Sequence, residues 1–287
     1  MLTDYHLHLQ PDGIDARARD CTRWEADGGA RSPAWIGRYV AQAKARAVSE
    51  IAITEHVHRF TEARDWHTNP WWQGEATEDI DVHVQALVDA RAAGLPVLVG
   101  IEMDWLPNRT EEISRFLDRR PFDIVLGSVH WIEELAIDHP DYPAWDQSTP
   151  EAVWEAYLTE LTAAATSGLF DVLAHPDLPK VFGVHMPAGF EDRLAETTAA
   201  IAASGVAIEC SSAGLRKPVG ELYPDPDWLG AFNRAGVPAT LSSDAHRPED
   251  VAAGYPLAVA ALRGAGYETI TRFNARTAEQ VSLRWDA

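Results

Sequence analysis

The chain opens with Leu2-Thr3-Asp4-Tyr5-His6-Leu7-His8-Leu9, an apolar run whose alternate positions become metal-competent just as it ends. Residues i and i+2 of a strand point to the same face, so His6 and His8 lie on one side and can share a cation. The layout returns late in the chain, where a strand predicted over Pro238–Ser242 runs into Ser243-Asp244-Ala245-His246. Five further strands are predicted between them, at Glu50–Thr54, Pro96–Met103, Phe122–Val129, Phe170–His175 and Val206–Cys210. Each also ends in polar groups: Thr54-Glu55-His56, Gly100-Ile101-Glu102, Gly127-Ser128-Val129-His130, His175-Pro176-Asp177 and Glu209-Cys210-Ser211-Ser212.

Amphipathic segments separate these strands, near Ala34–Val48, Thr77–Ala93, Arg109–Asp118, Pro150–Ser167, Gly189–Ser204 and Asp225–Ala235. Ser148-Thr149-Pro150 and Asp225-Pro226 read as helix starts. Gly94, Gly168, Gly205 and Gly236 fall between a helix and the next strand, where a left-handed helix end suits glycine. Strands alternating with helices predict repeated βα units and a parallel sheet, and seven such strands in 287 residues suit a closed or nearly closed α/β barrel. The segment after Arg247 reads as one or two more helices with a short apolar tail at Val281–Leu283. The whole chain, 1–287, is expected to form a single domain with an aromatic-rich insertion at about 61–80, carrying Trp66, Trp71 and Trp72.

In βα barrels the C-terminal strand ends converge on one mouth, where active sites are built. Nine candidate ligands fall there or beside it: His6, His8, Asp12, His56, Glu102, His130, His175, Asp244 and His246. Each alone has a plainer reading. Asp244 could cap a helix, Glu102 could pair with an arginine, and His130 or His175 could be a hydrogen-bonded core residue. Their joint placement argues for a metal site. Imidazoles mixed with carboxylates suit zinc, manganese or iron rather than calcium or magnesium. One zinc takes three or four ligands, so the set predicts two or three ions with Glu102 as the natural bridge. His67, His83, His139 and His185 read as ordinary surface residues.

Composition narrows the partners. There are 24 Lys and Arg against 44 Asp and Glu, a formal charge of −20. That excludes a broad basic face for long nucleic acid and disfavours docking on anionic lipid. The two cysteines, Cys21 and Cys210, cannot build a disulfide framework. No apolar run reaches the length of a membrane span, and the N-terminus lacks a signal-peptide pattern, so a cytoplasmic enzyme is expected. Lysine is rare, at Lys44, Lys180 and Lys217 only, and the last two follow the fifth and sixth strands.

The ordered motifs, His-x-His at 6–8, Asp12-Gly13, Thr54-Glu55-His56, Gly100-x-Glu102, Gly127-Ser-Val-His130, His175-Pro-x-Leu178 and Ser243-Asp-Ala-His246, resemble those of the polymerase-and-histidinol-phosphatase (PHP) family. The resemblance spans residues 6–246. The pieces 127–131, 175–180 and 212–218 are most similar to its histidinol-phosphate phosphatase branch. The resemblance implies a distorted (β/α)7 barrel with a trinuclear centre. It would place one metal on His6, His8, Glu102 and Asp244, a second on Glu102, His130 and His175, and a third on Asp12, His56 and His246. It also implies a phosphomonoesterase, with L-histidinol phosphate as substrate.

Two metals flanking a shared water would lower its pKa and supply a hydroxide nucleophile, with Asp244 and Glu102 as the catalytic carboxylates. The phosphate would be gripped by Arg216 first, whose planar fork suits it, then by Lys180 and Lys217. Asp138 and Trp131, in the loop after the fourth strand, are candidates to receive the amine and ring of the leaving group. Three other readings compete. A PHP phosphoesterase could act on another small phosphate, such as a mononucleotide. An amidohydrolase-type barrel also begins with His-x-His, but commonly bridges its metals with a carboxylated lysine at the end of the fourth strand, and Asp123–His130 contains none. A catalytically silent metal-binding module sits poorly with so full a ligand set.

Overall fold

The computed structural model describes residues 1–10, 22–141 and 143–284. In chain order the elements are β1 Thr3–Asp4, α1 Thr22–Ala26, α2 Pro33–Ala45, β2 Glu50–Ile53, α3 Pro70–Glu75, α4 Ile80–Ala92, β3 Val97–Asp104, α5 Thr110–Asp118 and β4 Ile124–Ser128. A small hairpin follows, β5 Trp131–Ile132 with β6 Leu135–Ala136, then α6 Pro150–Thr166, β7 Val172–Leu173, α7 Glu191–Ser204, β8 Ala207–Ser211, α8 Pro226–Arg234 and β9 Ala239–Ser242. The chain ends in α9 Tyr255–Gly264 and a second hairpin, β10 Thr269–Asn274 with β11 Thr277–Ser282. Among the described residues no helix is long and apolar enough to cross a membrane.

All seven expected strands join one parallel sheet in the order β1-β2-β3-β4-β7-β8-β9. The order follows the sequence, as right-handed βα units require. The sheet curls until β1 and β9 meet in a nearly closed barrel. Leu7 and Ala245 form an isolated parallel bridge across that seam, and the His8 N–H donates to the Ala245 carbonyl at 2.9 Å. The buried Asp4 carboxylate fastens the same seam by accepting from the Ser243 N–H, the Ser243 hydroxyl and the Ala252 N–H. Burial pushes its carboxyl up to about 6, against the lowering effect of those donors.

Side chains alternate between two cores. Ala52, Leu98, Ile124, Leu126, Val172 and Ala207 fill the barrel, while Ile51, Ile53, Val97, Val99 and Val125 face the helices. The expected helix starts are real: the Thr149 hydroxyl accepts from the Ala152 N–H, and the Asp225 carboxylate accepts from the Asp227 N–H.

Two expectations need correction. The segment after Arg247 forms one helix, α9, and then the β10–β11 hairpin rather than a further helix. That hairpin closes the N-terminal end of the barrel. Phe273 joins the interior core, Arg272 makes a two-bonded pair with Glu50, and Arg276 clasps Asp171. The second correction concerns histidines. His67, His83 and His139 are buried, not surface residues, at 5%, 1% and 5% exposure; only His185 of that group is exposed. The reason is the segment 57–75. It folds into 3-10 turns at Val57–Arg59 and Thr61–Trp66 and then α3, with Trp72 fully buried and its indole N–H on the Ala63 carbonyl.

Candidate metal centre

Strand alternation delivers most of the site. Along β3, Leu98 points into the barrel, and Glu102 and Asp104 follow at the same parity toward the mouth. On β1 the parity shifts by one after Tyr5, which belongs to the interior core, whereas Leu7 belongs to the outer one. His6 and His8 therefore both reach the centre. His175 and Asp244 arrive by strained backbone instead, at φ 28° and 48°, both unusual for residues with a Cβ and typical of functional positions.

Glu102 is the hub. Its Oε2 lies 3.2 Å from His6 Nε2, 3.6 Å from His8 Nε2 and 2.6 Å from His56 Nδ1. Its Oε1 lies 3.1 Å from His175 Nε2 and 3.4 Å from His130 Nε2, and also accepts the Ser128 hydroxyl. Asp244 Oδ1 stands 3.2 Å from His8 Nε2 and 3.6 Å from His246 Nδ1. Four triads bring ligand atoms within 4.8 Å of one another: His6–His8–Asp244, His6–Glu102–His175, His56–Glu102–His130 and His8–His56–His246. Eight of the nine expected ligands thus converge, and Asp12 lies outside the described residues.

The donor set fits divalent metal. His6 Nε2, His8 Nε2, His56 Nδ1, Glu102 Oε2 and Asp244 Oδ1 are buried atoms with no hydrogen bond of acceptable geometry. Orphaned buried acceptors are costly unless something takes their lone pairs, and a cation does so. The electrostatics agree. Burial opposes charge on Glu102, yet the surrounding imidazoles hold its carboxyl well below the usual range. Burial likewise opposes a proton on His130, but Asp104 and Glu102 push it up to about 10. A cage that draws protons so strongly exchanges them for metal.

A second tier of carboxylates orients these ligands, and sequence reasoning gave it no role. Glu209 takes His6 Nδ1 at 3.0 Å and the His175 N–H at 2.6 Å. Asp104 takes His130 Nδ1 at 2.7 Å. Glu55 lies 3.7 Å from His8 Nδ1 and accepts the Leu9 N–H. Such partners fix the tautomer so that the other ring nitrogen faces the metal. The available signal was parity, since Asp104 sits two residues beyond Glu102 on one strand.

A cleft of about 240 Å³ opens over the cluster. Its floor includes His56, His130, His175, Asp244 and His246, and its rim includes Arg216, Lys217, Tyr223 and Asp138. Arg216 spends Nη2 on the carbonyls of Ser243 and Asp244, while Nη1 is buried without a partner. Lys180 does not line this cleft. It is 2% exposed, with its ammonium on Asp177 at 2.9 Å and Glu221 at 3.3 Å. Trp131 lines a side chamber instead, and Asp138 borders both spaces.

A seven-stranded βα barrel with a histidine-carboxylate cage for several metals at its C-terminal mouth is the class that fold and site define. Within it, the chain belongs to the PHP domain family, whose model matches residues 31–213. The "Probable histidinol-phosphatase" of Deinococcus radiodurans is 32% identical over 81% of this chain and 88% of its own. The histidinol-phosphatase of Lactococcus lactis is 24% identical over 73% of this chain and 77% of its own. A crystal structure of histidinol phosphate phosphatase from Lactococcus lactis, complexed with zinc, L-histidinol and phosphate, superposes with a TM-score of 0.73 at 22% identity, covering 97% of this chain and 98% of that one.

Proposed function

We propose that the protein is a metal-dependent phosphomonoesterase that converts L-histidinol phosphate and water to L-histidinol and phosphate. The observation that carries this reading is the Glu102-centred cage lying directly beneath a cleft rimmed by Arg216 and Lys217. The named relatives support the choice of ester. Two or three divalent ions, zinc, manganese or iron, would be held by His6, His8, His56, Glu102, His130, His175, Asp244 and His246, with Asp12 as a further candidate. Bound there, such ions supply a water of lowered pKa and draw charge from the phosphoryl oxygens.

The residues divide the remaining work. Arg216 grips the phosphate through the Nη1 edge left over from bracing the β9 end, and Lys217 adds a point charge. Lys180, committed to Asp177 and Glu221, acts behind the rim by holding that wall in place. Asp244 accepts the proton of the attacking water as the P–O bond to the alcohol breaks, and Glu102 holds the two halves of the cage in register. Asp138 and Trp131 receive the leaving alcohol.

A phosphate-release assay after reconstitution with zinc, manganese or ferrous iron tests this, using L-histidinol phosphate and AMP as parallel substrates. Turnover of histidinol phosphate is expected. Release from AMP alone would select the mononucleotide alternative, and no release from any phosphomonoester would remove the enzyme reading.

A further inference from the structure

Beside the main cleft lies a smaller chamber whose aromatic walls neither metal binding nor phosphate binding uses. The two spaces share His56, His130 and Asp138, so they adjoin over the metal cage. The chamber adds His58, Trp71, Trp131 and His139. These come from the 57–75 segment and from the region of the β5–β6 hairpin, neither of which contributes a strand to the barrel.

The rings form one packed set. Trp71 lies 4.8 Å from His58, 4.8 Å from His139 and 6.0 Å from Trp131, centroid to centroid. His67 backs this set, 4.5 Å from Trp131, and its own nitrogens are committed to the Glu133 carbonyl and the Asn69 N–H. Trp72 is sealed beneath, whereas Trp71 is only half-buried and keeps surface open to the chamber. The walls are therefore held before any ligand arrives, which spares a ligand the cost of ordering them.

The chemistry of the two spaces is opposite. A phosphate wants cations and N–H donors, which the main cleft has in Arg216 and Lys217. It gains nothing from indole faces and a carboxylate. A flat heteroaromatic ring and a neighbouring ammonium gain from both, because aromatic faces carry negative potential and Asp138 stands at the lip. We propose that this chamber is the leaving-group site, built by the 57–75 segment, and that Trp71 is its specificity-determining residue for a cationic, ring-bearing alcohol. The proposal rests on the phosphatase reading above.

The test compares L-histidinol phosphate with phosphoethanolamine, which keeps the phosphate and ammonium but has no ring. In the zinc-loaded enzyme, Trp71→Leu is expected to lower kcat/KM for histidinol phosphate by about 10- to 100-fold, mostly through KM, while phosphoethanolamine changes by less than about threefold. Trp71→Phe retains a ring and is expected to recover most of the loss. Calorimetric binding of L-histidinol in the presence of phosphate should weaken in step with KM, at unchanged zinc content. Equal losses on both substrates, or no loss on either, would overturn the chamber assignment while leaving the phosphatase reading intact. Wild-type enzyme that hydrolyses AMP but not histidinol phosphate would overturn both, and is seen before any variant is made.

Discussion

Replacing Glu209 with glutamine exchanges one carboxylate oxygen for an amide NH2 and leaves the side-chain shape unchanged. Glu209 is 1% exposed, and its two oxygens serve two donors: His6 Nδ1 at 3.0 Å and the His175 N–H at 2.6 Å. Glutamine has one acceptor oxygen for them. If that oxygen stays with the His175 N–H, the NH2 faces His6. The His6 ring then does best by carrying its proton on Nε2, the atom that must present a lone pair between Glu102 and Asp244. If the amide turns over, His175 loses its anchor at a position already strained to φ 28°. A hydrogen bond to a charged group is worth about 1.5–3 kcal/mol, which converts to about 10- to 150-fold in zinc affinity. The measurement is zinc affinity by competition with a chelator, read beside turnover of the zinc-saturated enzyme. Affinity should fall within that range, and saturating zinc should recover much of the activity. Wild-type affinity in Glu209→Gln would refute the view that this carboxylate sets the His6 tautomer.

Other outcomes follow from neighbouring geometry. Arg216→Ala should lower kcat/KM for a phosphomonoester by about 10- to 100-fold and weaken inhibition by inorganic phosphate; Arg216→Lys should not restore it, because one ammonium cannot both brace the Ser243 and Asp244 carbonyls and reach the phosphate. Gly127→Ala should cost about 1–3 kcal/mol in urea denaturation, since the new Cβ would lie 2.4 Å from the Phe170 ring; an unchanged midpoint would show that the ring yields freely. His83 is buried, and burial lowers its pKa from 6.5 to about 4. The unfolded chain therefore takes up its proton first, and stability is lost as pH falls from 6.5 toward 4. His83→Leu should remove about 3 kcal/mol of that loss, measured as the difference in unfolding free energy between pH 7 and pH 4.

Much of the barrel was legible because two signals coincided, apolar runs of strand length and a polar residue at each C-terminal end. Neither depends on contacts distant in sequence. The β10–β11 hairpin escaped because its turn lacks the usual residues. Ala275 and Arg276 both adopt positive φ, at 46° and 61°, where Asn-Gly or Asp-Gly would normally announce the turn. His67, His83 and His139 were misread because burial of a loop residue depends on what packs over it, which local pattern does not encode. Lys180 shows the same limit. Its place beside the mouth was foreseeable, but its capture by Asp177 and Glu221 was not. The net charge of −20 also takes on a narrower meaning, since several of those carboxylates, among them Glu102, Asp244, Asp104 and Glu209, line the cage or stand behind it rather than describing the outer surface.

The seam between β1 and β9 bears on how the protein is made. His6 and His8 leave the ribosome among the first residues, while Asp244, His246 and the Ser243 that Asp4 fastens leave among the last. Throughout most of synthesis the earliest histidines stand beside an open strand edge with no opposite bank. The cage is thus a late event, completed when the final strand docks. A chain released before Ser243 keeps Glu102, His130 and His175 but lacks the groups that finish the centre. Metal retention in a nascent chain accordingly reports that translation has passed the ninth strand and that the ring has shut.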